Sequence, residues 1–158
     1  MIGRLLAALA TLVSVGATLG LAGYLELDRM QGTPVYLPVE HLGGDDSDLI
    51  NLHLREPVSS AVMGESWRVR TEDHGYLELT VDPEGRVTAA TRTTERPTDG
   101  LWLRIRNHAV APMSTRLPPQ DHEAVRYLLI RVTPGGEAYE VALADEELRL
   151  LGRGDRAW

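Results

Sequence analysis

Residues 76–87 read Tyr-Leu-Glu-Leu-Thr-Val-Asp-Pro-Glu-Gly-Arg-Val, and this stretch decides the fold class. Apolar residues occupy every second position of its first half, which is the period of a strand with one buried face: Leu77, Leu79 and Val81. Pro83 presets φ at the first corner of a turn, and Gly85 supplies the positive φ that the end of the turn requires. The stretch predicts a β-hairpin over residues 76–92.

The same pattern recurs at residues 127–138, Tyr-Leu-Leu-Ile-Arg-Val-Thr-Pro-Gly-Gly-Glu-Ala. Its alternating apolar residues are Leu128, Ile130 and Val132, and its turn again places a proline two positions before a glycine. We therefore predict a second hairpin over residues 127–144. An internal duplication and two independent uses of one common turn both account for the likeness.

Working outward, three further segments alternate in the same way: Val35-Leu37-Val39, Ile50-Leu52-Leu54 and Leu101-Leu103-Ile105. Residues 118–126 begin with two prolines and carry acids in their first turn, which predicts a short helical turn. Asp145 followed by two glutamates resembles a helix N-cap and predicts a brief terminal helix. The predicted fold is mainly antiparallel β with one or two short helices.

The N-terminus is of a different kind. From Leu5 to Leu25 the chain has 21 residues without a charge, enough for a helix that crosses a bilayer core of about 30 Å. Arg4 is the nearby positive charge, so the positive-inside rule leaves the N-terminus in the cytoplasm and places the following domain outside it. Cleavage after a signal peptide, near Val15-Gly16-Ala17, is the alternative and would give a secreted protein.

These predictions divide the chain into an anchor or signal peptide (residues 1–27), a linker (28–34), a β-rich domain outside the cytoplasm (35–152) and a flexible tail (153–158). Of the 16 arginines and 23 acidic residues, only Arg4 and Glu26 lie in the first 27 residues, so the exported part carries the whole net charge of −7. An acidic domain offers no basic surface for a phosphate backbone, which argues against nucleic-acid binding.

The absent residue types exclude several chemistries. The chain has no lysine, which excludes a Schiff base, a Walker-type phosphate loop and a Ser–Lys dyad. It has no cysteine, which excludes disulfides, thiolate nucleophiles and iron–sulfur clusters. The five histidines, His41, His53, His74, His108 and His122, show no helical metal-ligand spacing. We expect no catalytic residues, no cofactor and no metal from these patterns.

The sequence resembles the GDYXXLXY-domain family, small bacterial envelope proteins with an N-terminal membrane anchor and an exported domain. The likeness extends over residues 33–152 and is best in TPVYLPVE with DLINLHL, in HGYLELTVDPEGRV, in LWLRIRNHAV through DHEAVRYLLIRVTPGGEAYEVAL, and in ADEELRLLG. At the position of the naming motif Asp48 and Leu52 keep their places, while Leu49 and Leu54 replace the tyrosines. The resemblance implies a location and a fold, and no catalytic residue.

Two functional hypotheses follow. The first is a non-enzymatic, membrane-tethered module that docks on an envelope or membrane-protein partner. Its candidate surface is a stripe of Trp102, Arg104 and Arg106 on one strand face, since Trp and Arg are favoured at interfaces. Pairing of these arginines to neighbouring acids is the structural alternative. The second hypothesis is a hydrolase or small-ligand-binding domain with a site assembled from distant residues such as His53, Asp48 and His108.

Overall fold

The computed structural model describes residues 31–41, 49–63, 75–105 and 113–153. The chain separates into two compact units, Met1–Gly32 and Thr33–Trp158, and the strands belong to the second. Among the described residues, no helix combines the length and the apolar character needed to cross a bilayer. The predicted anchor, residues 5–25, lies outside the described residues.

The described part of the second unit contains nine strands, one α-helix and one 3₁₀ helix. In chain order these are β1 (Thr33–His41), β2 (Leu49–Leu54), α1 (Val58–Met63), β3 (Gly75–Val81), β4 (Val87–Thr93), β5 (Leu101–Ile105), β6 (Met113–Arg116), the 3₁₀ helix (Pro119–Ala124), β7 (Tyr127–Val132), β8 (Ala138–Ala144) and β9 (Leu150–Arg153). The prediction of a mainly β fold is confirmed.

All strand pairs are antiparallel and form two sheets. The larger sheet has six strands in the order β6-β2-β1-β7-β8-β9, and the smaller has three in the order β4-β3-β5. Because β1 pairs with β2 only along Val39–His41, the earlier part of that edge is open to another partner. The turn between β3 and β4 occupies it, since the Tyr36 N–H donates to the Gly85 carbonyl at 2.9 Å.

Both predicted hairpins are present, as β3–β4 and β7–β8. Their turns share one hydrogen-bond pattern. The Gly85 N–H donates to the Asp82 carbonyl at 3.0 Å, and the Gly136 N–H donates to the Thr133 carbonyl at 2.9 Å. Both glycines have the positive φ that their turns were expected to need, +87° and +76°.

One hydrophobic cluster joins the two sheets. In the larger sheet Val35 lies opposite Ile130 and Leu37 opposite Leu128, so these side chains share the inner face. In the smaller sheet Leu77 lies opposite Leu103. The period-2 pattern therefore identifies the strand faces that meet in the core.

The predicted terminal helix is wrong. At Asp145 the chain makes a tight turn and returns as β9, because the Asp145 carboxylate accepts the N–H groups of Glu147 at 3.0 Å and Arg149 at 2.9 Å. Leu148 adopts φ +62°, which no α-helix accommodates. Consequently the chain continues as a strand in which Gly152 pairs with Leu143.

Candidate functional site

The structure corrects the prediction that Trp102 is exposed. Its side chain lies on the outer face of the smaller sheet, opposite Glu78, yet only 8 % of the residue is exposed. The ring makes an edge contact with Tyr76 at a centroid distance of 5.4 Å, and the guanidinium carbon of Arg96 lies 4.9 Å from its centroid. Trp102 is therefore enclosed by its own chain.

The turn between β7 and β8 is the element that covers Trp102. A side chain at Gly136 would begin 2.0 Å from the indole carbon Cζ3, so the turn backbone lies directly on the ring. The Gly136 carbonyl also accepts the N–H of Arg104 at 2.8 Å. The Arg104 side chain is exposed, and Arg106 lies outside the described residues. Trp102 thus joins β5 to the second hairpin and is buried.

The positions of the family motif are partly described. Leu49 begins β2, Leu52 is buried in the core, and Leu54 packs against the core from a half-exposed position. Asp48 lies outside the described residues. The two later leucines of this segment therefore contribute packing.

Of the three residues of the alternative site, the structure describes only His53, which lies on β2 opposite Glu40. Asp48 and His108 fall outside the described residues. Within the described ranges no group of three or more His, Asp or Glu side chains is arranged to hold a metal ion.

A different surface emerges on the outer face of the larger sheet. Its residues stand in three rows of directly opposed positions: Pro34–Arg131–Tyr139, Tyr36–Leu129–Ala142–Arg153 and Pro38–Tyr127–Ala144–Leu150. We call this surface the tyrosine face. The outer face of an antiparallel sheet is usually polar. Apart from Arg131 and Arg153, the positions of this face hold proline, tyrosine, leucine and alanine, which is an unusually apolar composition.

The tyrosine face is accessible at its tyrosines and at its edge, whereas Leu129, Ala142 and Ala144 within it are buried. Its three tyrosines are half-buried, and Tyr36 and Tyr127 meet edge to face at a centroid distance of 6.3 Å. Leu150, on the edge strand β9, is 61 % exposed. Among the described residues it is the most exposed large hydrophobic side chain. Arg86 lies over Tyr127, with its guanidinium carbon 5.9 Å from the ring centroid, and forms an ion pair with Asp82 at 3.8 Å.

A second site is an open cleft of about 390 Å³ at the end of β1. Val39 and Val125, both buried, contribute its apolar lining. Its ionisable lining is Glu40, His41, Arg55, His122, Glu123 and Arg126. The cleft forms because the Val39 N–H donates to the Arg126 carbonyl at 2.9 Å, which brings the segment after the 3₁₀ helix alongside β1.

His41 and His122 meet in this cleft, with ring centroids 5.3 Å apart and planes at 66°. His122 is 5 % exposed, and its Nε2 lies 2.7 Å from the Leu117 carbonyl oxygen. A carbonyl only accepts, so Nε2 carries a proton and, in the neutral ring, Nδ1 carries the lone pair. This pair is not apparent from the sequence, because its two rings come from a strand and a helical turn that are far apart in the chain.

The carboxylate nearest to Arg55 in the chain is directed elsewhere. Glu56 accepts hydrogen bonds from the hydroxyls of Ser60 and Ser59, which hold the pKa of its carboxyl below its usual range. Among the described residues the Arg55 side chain has no ion-pair or hydrogen-bond partner. Arg55 therefore contributes to the cleft a positive charge that no described residue pairs.

Comparisons of the chain with protein-family models, with curated proteins and with solved structures find no match.

Proposed function

We propose that this chain is a non-enzymatic docking module. Residues 5–25 tether it to the membrane, its β domain lies outside the cytoplasm, and it binds the exposed part of a membrane-embedded protein of the cell envelope. The observation that carries the proposal is the tyrosine face. The resemblance to the GDYXXLXY-domain family agrees with the proposed location.

The composition of the tyrosine face suits a binding surface. Tyrosine offers a large, amphipathic contact area with only two side-chain torsions to immobilise, so it contributes affinity at low entropic cost. The half-buried rings of Tyr36 and Tyr127 are already held in an edge contact before a partner arrives. At the sheet edge, Leu150 adds an exposed apolar side chain beside backbone groups that can pair with another strand.

The length of the tether favours a partner in the membrane. Seven residues, 26–32, separate the predicted span from β1, and fully extended they reach at most about 25 Å. Pro34, the first residue of the tyrosine face, follows directly after Thr33. A tether of this length is short, which agrees with a partner that is itself in the membrane.

Photo-crosslinking in native membranes tests this proposal. A benzoylphenylalanine probe replaces Tyr36 or Leu150 on the tyrosine face, and the control replaces Thr91, an exposed residue on the outer face of the smaller sheet. We expect both face positions, and not Thr91, to form an adduct with one protein that has membrane-spanning segments of its own. Tyr127→Ser in the same chain should reduce the adduct without changing the amount of folded protein.

Three results would contradict the proposal. Equal labelling from Thr91 would show that contact is unspecific, and no adduct from either face position would show that the face is unoccupied. An adduct of two copies of the 17.4 kDa chain would make the occupant a second molecule of the same protein.

A further inference from the structure

The cleft beside His41 and His122 carries an inference that is independent of docking. We infer that it is a binding site for a small zwitterion, an amino acid or a short peptide that presents a free ammonium and a free carboxylate. The inference rests on three features of the cleft: a buried histidine acceptor, two cations and two anions.

The buried acceptor is Nδ1 of His122. The hydrogen bond from Nε2 to the Leu117 carbonyl holds the ring in one orientation, and the edge contact with His41 supports it from the side of β1. Nδ1 has no hydrogen-bond partner among the described residues. A ligand that donates an N–H satisfies Nδ1.

The cations differ in how they are held. The Arg126 guanidinium donates to the Glu123 carbonyl at 2.7 Å and to the Val125 carbonyl at 2.8 Å, and its Nε lies 4.0 Å from a carboxylate oxygen of Glu146. Its position is therefore set before a ligand arrives, and its charge is partly balanced. Arg55 is held only through its backbone, whose N–H donates to the Pro38 carbonyl at 2.9 Å. The planar guanidinium of Arg55 is free to take a carboxylate in a two-pronged contact.

The anions decide the class of ligand. Glu40 and Glu123 are exposed and line the same cleft as the two arginines, so the formal charges of these four side chains cancel. A ligand with charges of one sign only therefore meets repulsion as well as attraction there. An ammonium group is attracted to these carboxylates and also donates to His122 Nδ1. A molecule with one carboxylate and one ammonium thus satisfies all three features, and a volume of about 390 Å³ leaves room for more than one residue.

Titration calorimetry of the full-length chain in detergent micelles, with L-alanyl-L-alanine as the probe, tests this inference. We expect saturable binding to the wild-type chain. Arg55→Gln should weaken it about tenfold or more, because a charge-assisted contact to the carboxylate is lost. The matched control is Arg104→Gln, which removes an exposed arginine of the smaller sheet and should leave the Kd unchanged.

Two altered probes separate the charges of the ligand. N-acetyl-alanyl-alanine lacks the ammonium and alanyl-alanine amide lacks the carboxylate, and each should bind about tenfold or more weakly than the parent dipeptide. In nitrogen-15 spectra, the His122 Nδ1 resonance should shift when the dipeptide binds. The amide keeps the ammonium group, so it should cause the same shift once it is bound.

Several outcomes would overturn the inference. These are no saturable binding to the wild-type chain, equal affinity for all three peptides, and equal weakening by Arg55→Gln and Arg104→Gln. Circular dichroism of both variants confirms that they are folded, which is expected because both side chains are exposed.

Discussion

Gly136 is the residue at which the two hairpins depend on one another. Its φ is +76°, and a Cβ there would begin 2.0 Å from the Trp102 ring. We predict that Gly136→Ala lowers the free energy of unfolding by about 1–2 kcal/mol for the left-handed backbone and by about 1–3 kcal/mol more for overpacking against the indole. Urea denaturation of the full-length chain in detergent measures the sum.

Gly100→Ala is the matched control, because Gly100 has φ +82° and nothing within 4 Å of a built Cβ. It should lose only the backbone contribution. In a Trp102→Leu background the extra cost of Gly136→Ala should shrink, since the smaller side chain gives the methyl room. Equal costs for both glycine variants in the wild-type background would refute the close contact.

We predict that the stability of the protein depends on pH through Asp145. Burial favours its neutral acid, but the backbone N–H and the guanidinium of Arg149 outweigh burial and hold the pKa of Asp145 below its ordinary value of 3.8. A lowered pKa means that the unfolded chain binds the proton more tightly, so stability rises with pH and is lost as the pH falls below about 4. Asp145→Asn should flatten the loss of stability between pH 5 and pH 2, measured by thermal unfolding. An unchanged acid profile would contradict this assignment.

At the scale of elements, the first strand of each hairpin contributes a central residue to the core. Ile130 of β7 is 0 % exposed and Leu79 of β3 is 5 % exposed. We predict that Ile130→Ala and Leu79→Ala each lower the free energy of unfolding by about 2–5 kcal/mol, as transfer and cavity costs add. Because both residues belong to one cluster, each variant should shift a single unfolding transition.

Thr91→Ala, at an exposed position of β4, is the control and should change stability by less than about 0.5 kcal/mol. If Leu79→Ala or Ile130→Ala melts in two steps, the two sheets do not share a cooperative core.

The whole-molecule prediction concerns topology. Alkaline phosphatase fused after residue 158 should be active, because the positive charge of Arg4 retains the N-terminus in the cytoplasm and sends the domain across the membrane. Val13→Arg, near the middle of the predicted span, should impair insertion by about 2.5–3.5 kcal/mol and reduce that activity. An inactive fusion of the unmodified sequence would reverse the proposed orientation.

Much of the sheet structure was predictable from local sequence. Both hairpins lie where alternating leucines, valines and isoleucines surround a Pro-x-Gly turn, and the glycines that end those turns have positive φ. The helix predicted at Asp145 failed because an N-cap and a turn both begin with an aspartate that accepts backbone N–H groups. Only the left-handed φ of Leu148 separates the two outcomes, and residue order does not reveal it.

The sequence by itself determined which residues share a strand face, since alternation is a property of the backbone pleat. Whether a face is covered depends on which other element reaches it, and this only the tertiary structure decided. Trp102 is buried because the turn of a hairpin from the other sheet lies on its ring. Tyr36 and Tyr127 also lie on an outer sheet face, yet they remain half-exposed. The His41–His122 cleft arises in the same way, because strand pairing and a 3₁₀ helix bring two distant positions together.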